Sequence, residues 1–222
     1  MTEDELRDHI TSMVPEHARG PQPPFAHVAF PLHPDSPVDY ERERATACER
    51  FLGSCDYVFH PSVGAPHIDV YRYPPAADRP FWCYITNGMS DFPQVLPDGS
   101  SFRSELMCAS GKEGRTPAEL LQILGTMPFR SATFLHLYHT VPFPDGVGDP
   151  RFTYVMTVPP FLVSDLARIE FLGERLLVMS LIRITKGERL RAVEESSQVV
   201  VDSLPDVLDT WLIDGRGGRT LD

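Results

Sequence analysis

The 222-residue chain carries 20 Lys and Arg against 31 Asp and Glu, a net charge of -11, with 42% hydrophobic and 23% charged residues. That length suits one compact domain with a core of its own. The charge argues against nucleic acid, whose phosphates need a local excess of Lys and Arg, and no apolar run approaches the ~20 residues needed to cross a bilayer.

The opening MTEDELRDHI reads as a short helix with Thr2 and Glu5 at capping-box spacing. It lacks the basic-then-apolar order of a secretion signal. Four cysteines, Cys48, Cys55, Cys83 and Cys108, contain no C-x-x-C pair, so reduced thiols in a cytoplasmic protein are expected rather than a disulfide between Cys48 and Cys55. Prolines 15, 21, 23, 24, 31 and 34 make residues 1–35 a short helix followed by an irregular arm. Phe25, Val28 and Phe30 within FAHVAF are expected to dock that arm on a body spanning residues 36–222.

Ser36-Pro37 is a helix start, and VDYERERATACERFL can run to a stop at Gly53 with Tyr40, Ala47, Phe51 and Leu52 on its apolar side and the charges opposite. HIDVYRY, FWCYIT and SFRSELMCA are rich in β-formers and separated by Pro, Asp and Gly turns, which predicts three neighbouring antiparallel strands. Thr116-Pro117-Ala118-Glu119 caps a second helix, with Leu120, Leu121, Ile123, Leu124 and Met127 apolar before Pro128 stops it. Strands follow at Thr133–Val141, FTYVMTVP and RLLVMSLIRIT. A last helical segment begins within Lys186–Glu195 and resumes around SLPDVLDTWL before the glycine-rich RGGRT. Strands and helices intersperse without strict alternation, which favours an α+β class, a twisted, mostly antiparallel or mixed sheet packed against helices in a single domain.

Neither a phosphate-binding glycine loop nor a nucleophile elbow occurs, and no cofactor is called for. Two catalytic alternatives stay open. Ser90 follows a strand in a tight turn and has the placement of a strained nucleophile, and His136 and His139 form H-x-x-H. On the strand expected there the two rings point to opposite faces, so no metal site is expected. His60 and His67, beside prolines and aromatics, read as hydrogen-bonded structural residues.

The segment FWCYITNGMSDFPQV is more specific. Its aromatic strand and Thr86-Asn87-Gly88-Met89-Ser90-Asp91 resemble the signature turn of suppressor-of-fused domains. IDVYRYPPAADRPFW, SFRSEL, TPAELLQIL, YHTVPFPDG and WLIDGRGGRT are similar to other family segments in the same order, over roughly residues 55 to 222. Tyr138 stands where the family commonly has glycine. The resemblance implies a mixed α/β domain and a non-enzymatic role. It also implies a protein partner, since many stand-alone microbial members act as immunity proteins that bind and neutralise a toxin; regulation of another protein partner and a structural scaffold role are the alternatives. A basic toxin or effector suits the acidic chain. The animal protein has a further C-terminal domain that helps clamp a transcription factor's peptide, and that clamp is not expected here. In the animal family the loop after the signature turn touches a peptide, which makes Asp91, Phe92, Gln94, Asp98 and Ser101 the candidate partner-binding residues. Thr86, Gly88, Met89, Ser90 and Asp91 are expected to be a folding motif, and Pro97-Asp98-Gly99 serves equally well as a plain β-turn.

Overall fold

Side-chain alternation along the central strands sets the architecture. In the computed structural model, residues 40–61, 66–143, 146–171 and 173–215 are described. The expected N-terminal helix, the arm with Phe25, Val28 and Phe30, the Ser36-Pro37 start and RGGRT all lie outside them. The strands are β1 (Tyr57–Phe59), β2 (Asp69–Tyr73), β3 (Trp82–Asn87), β4 (Gln94–Val95), β5 (Ser101–Phe102), β6 (Ser104–Ser110), β7 (Thr140–Pro142), β8 (Tyr154–Val158), β9 (Glu170–Phe171), β10 (Glu174–Arg175) and β11 (Leu177–Ile184). Seven of them form one sheet in the order β1-β2-β3-β6-β11-β8-β7. The β6–β11 pair is parallel and its other pairings are antiparallel, so the sheet is mixed and the class α+β, as expected.

Both faces are covered, which is why the central strands read as near-continuous apolar runs. Val70, Tyr84, Leu106 and Cys108 join Leu120, Leu121, Leu124 and Met127 of helix α2 (Thr116–Arg130) in one cluster. Tyr73, Cys83, Ile85, Met107 and Ala109 alternate with them and meet Cys48 and Leu52 of helix α1 (Tyr40–Leu52) in a second. A third cluster joins Met156, Val158, Ile182 and Ile184 to Val200, Val201 and Leu204 around helix α4 (Ser197–Ser203). Helix α3 (Lys186–Glu194) starts on a complete capping box, Thr185 with Glu188, and helix α5 (Leu208–Trp211) is one turn long.

Several expectations are corrected. In α1 the buried stripe is Arg44, Cys48 and Leu52, and Phe51 is exposed, so a charged residue holds a core position. Gly53 does end that helix, in the left-handed region at φ 78. Thr116 makes no side-chain cap; it is the first helical residue, and Arg115 reaches Glu119 along the helix instead. Pro128 does not stop α2. A proline disturbs the turn before it, and here it sits in the last turn, so the helix continues to Arg130 and ends where Ala132 turns left-handed at φ 46. SFRSELMCA is two strands, because β5 leaves the main sheet to pair with β4. The expected strand over Thr133–Val141 is irregular until Thr140, with Tyr138 at φ 67. That left-handed backbone is one glycine adopts without strain, which gives the glycine common at this place in the family a physical reason. The four cysteines are unpaired thiols, and Cys48, Cys83 and Cys108 are buried. No described helix is long and apolar enough to cross a membrane.

Candidate partner-binding site

The signature turn is built over a buried carboxylate. β3 and β6 run together through Ile85 and Met107, and the Thr86 hydroxyl then takes over, accepting from the Leu106 amide at 2.8 Å. Gly88 follows at φ 130, and a Cβ there would lie 2.7 Å from the His67 carbonyl oxygen, so only glycine fits. Beyond it Met89–Asp91 forms one 3-10 turn, and Met89 is driven wholly into the α2-side core.

Glu105 of β6 receives this turn. Its Oε1 accepts from the Gly88 amide at 3.2 Å, the Ser90 amide at 3.0 Å and the Ser90 hydroxyl at 2.6 Å, and its Oε2 accepts from Thr86 at 2.5 Å. The Arg44 guanidinium, only 3% exposed, lies 3.6 Å from the same carboxylate. Arg44 also donates to Asn87 Oδ1 at 2.6 Å and pairs with Asp91. Arg103 closes the network by donating to the Ser90 and Asp91 carbonyls. Burial is the largest influence on Glu105 and pushes its carboxyl up from the ordinary value, against the pull of Arg44 and of the donors from Ser90 and Thr86. A buried charge with this many partners sustains itself where a lone one would not.

The candidate residues divide between two roles. Thr86, Gly88, Met89 and Ser90 are interior, and Asp91 is partly exposed with its carboxylate engaged by Arg44. Phe92 packs edge-on against Phe129. Gln94 is buried; its amide nitrogen donates to the Ser104 hydroxyl at 2.6 Å and its oxygen accepts from the Leu135 amide at 2.7 Å, so it anchors the hairpin instead of facing a partner. The β4–β5 hairpin projects from that anchor. Its turn is closed by Gly99 N–H to Leu96 O at 2.9 Å, and the Asp98 carboxylate accepts from the Ser100 amide and hydroxyl. Those bonds hold the Asp98 carboxyl below its ordinary value. Asp98, Ser101 and the apolar Val95 are all exposed on it.

Neither catalytic alternative gains a site. Ser90 is wholly buried, its hydrogen bonds go to Glu105 and Arg103, and neither histidine is among its partners. His136 and His139 do face one another, with ring centroids 6.4 Å apart, because the chain turns there instead of extending. Their rings pack on Phe102 and Phe134, and burial holds His139 below its ordinary pKa. Arg44, Arg103 and Glu105 escaped the sequence reading. The available signals were a charge one and two turns before Cys48 and Leu52, and a carboxylate at the start of an otherwise buried strand.

A mixed sheet with helices on both faces, and a glycine turn sealed onto an internal carboxylate beside an exposed hairpin, describe a scaffold that presents loops. The chain belongs to the suppressor of fused family: the family model described as "Suppressor of fused protein (SUFU)" matches residues 64–216. Among solved structures it is similar to a putative SUFU homolog from Neisseria gonorrhoeae FA 1090, at 19% identity and a TM-score of 0.59, covering 74% of this chain and 87% of that one. It is also similar to the chain of a Sufu–Fu complex, at 15% identity and a TM-score of 0.60, covering 80% and 89%. Drosophila Suppressor of Fused aligns at 19% identity and a TM-score of 0.51, covering 68% of this chain and 42% of that chain. No curated protein matches in sequence.

Proposed function

We propose that this chain is a non-enzymatic, cytoplasmic protein-binding domain that engages its partner through the β4–β5 hairpin, with Asp91 and Phe92 at its base and Asp98 and Ser101 at its tip. The observation that carries this reading is the division of the loop. The signature serine is buried away from solvent, while the adjoining hairpin is anchored by Gln94 and has Val95, Asp98 and Ser101 exposed. A small apolar contact ringed by hydroxyls and a carboxylate suits recognition of a polypeptide. A relative of this fold is seen in a Sufu–Fu complex. The net charge of -11 favours a basic partner, and an immunity role, binding and neutralising a basic toxin, fits that charge and the family resemblance.

The test is co-expression with the product of the adjacent gene, followed by affinity measurement on the purified pair. A stoichiometric complex weakened by Asp98→Lys, with rescue of growth if the partner is toxic, is the expected result. A complex untouched by charge reversal at Asp98 removes the hairpin, and hydrolysis of the partner by this chain removes the non-enzymatic reading.

A further inference from the structure

The edge of the sheet behind the signature turn carries a second cluster that the partner-binding reading does not use. His60 immediately follows β1, and continuation of the β1–β2 register sets it opposite Asp69, since Phe59 pairs with Val70. His67 lies two residues before Asp69, on the same side of an extended chain. Both rings converge on one oxygen: His60 Nδ1 and His67 Nε2 each lie 2.9 Å from Asp69 Oδ1. The three ligand atoms lie within 4.8 Å of one another.

We propose that His60, His67 and Asp69 form a binding site for a divalent transition-metal ion of the zinc class. Two imidazoles and one carboxylate are a donor set such ions take, with three protein ligands and water completing the shell. Ligands around a tetrahedral ion at ~2.1 Å stand roughly 3.4 Å apart, so each ring must draw back from Oδ1 by about half an ångström while the three ligand atoms, already within 4.8 Å of one another, settle around the ion. The two rings can supply that movement, being 65% and 63% exposed, whereas Asp69, at 4%, is fixed in the sheet opposite Asn87. The His67 main chain is fixed as well, because its carbonyl lies against Gly88 with no room for a Cβ between them. A rigid buried carboxylate with two adjustable imidazoles above it is a preorganised site, open on its solvent side.

Metal uptake requires a change at each ring nitrogen that faces Oδ1. In the metal-free protein each ring turns an N–H toward that oxygen, which accepts it. On binding, the proton of His60 moves from Nδ1 to Nε2 and that of His67 from Nε2 to Nδ1, both through the solvent these exposed rings touch, and the freed lone pairs take the metal. The residues are scattered in sequence as a histidine and a separate His-x-Asp, which no linear metal motif describes. The hydrogen-bonded role expected for His60 and His67 is the resting form of the same site.

Zinc is titrated into chelator-treated full-length protein against a chromophoric competitor. The native chain is expected to take up one equivalent that the His60→Ala/His67→Ala chain binds about a hundredfold more weakly or not at all. The His136→Ala/His139→Ala chain should retain it. Deleting both rings takes two donors from the buried Asp69 carboxylate, so the metal-free melting temperature of the double variant should fall somewhat, and only the native chain should melt higher when zinc is added. Cobalt substituted for zinc should give visible d–d bands without a thiolate charge-transfer band. Uptake that is equal in the native and His60/His67 variant chains shows adventitious binding elsewhere and overturns the proposal, as does a thiolate band, which would place the metal on a cysteine.

Discussion

Asp91 and Asp98 stand close together in the chain, both acidic, both in turns beside strand ends, yet the tertiary structure gives them opposite duties. Asp91 reaches back to a buried arginine on α1 and belongs to the network that folds the signature turn. Asp98 satisfies itself within its own hairpin through Ser100 and leaves that hairpin's outer surface available. A local sequence motif and a binding surface can therefore be adjacent without being the same thing. The most recognisable residues are there because the backbone needs a glycine bend over an internal carboxylate, and the less distinctive ones meet the solvent.

Substitution should separate the two regions by the size and kind of effect. Glu105→Ala leaves Arg44 without the carboxylate beneath it and frees two amides and two hydroxyls of their acceptor, so a loss of about 3–5 kcal/mol is expected in denaturant unfolding. The paired variant Arg44→Met/Glu105→Leu should recover part of that loss, with a coupling of about 1–3 kcal/mol that shows the two act as a unit. Gly88→Ala forces a Cβ to within 2.7 Å of the His67 carbonyl at a backbone angle alanine avoids, and about 2–4 kcal/mol of destabilisation should appear as a lowered melting temperature. Ser90→Ala removes one hydroxyl donor to Glu105 and should cost about 1–2 kcal/mol without altering affinity for the partner; a change in binding at unchanged stability would return this serine to the functional site. Asp98→Lys is the smallest in stability, with a melting temperature expected to stay close to the native one. If the hairpin is the binding surface it should nonetheless slow association with a basic partner by about tenfold, an effect that added salt diminishes.

Elements with local signals are legible in the sequence: β2, β3 and the run from Ser104 through β-formers and turn residues, and Gly53 through the end of an amphipathic stretch. Residues whose partners come from afar are not. Arg44 looked like a solvated helix charge because its partners, Glu105 and Asn87, lie on strands distant in sequence. Gln94 looked like a loop contact because nothing local reveals that Ser104 and Leu135 take up its amide. The strand expected over Thr133–Val141 failed because β-propensity measures fit to a sheet neighbour, and this stretch first meets β8 at Tyr138 and His139 and pairs in regular register only from Thr140.

Local chemistry was therefore sufficient for the kind of fold, since alternation and turn residues are properties of neighbouring residues, and a family resemblance marked the Thr86–Asp91 turn. Packing alone decided that Glu105 and Arg44 would meet beneath that turn, that Gln94 would face inward while Asp98 faces out, and that His60, His67 and Asp69 would converge. Burial, charge pairing and metal-ligand geometry each depend on residues brought together from separate strands and helices, and no single stretch of chain carries that information.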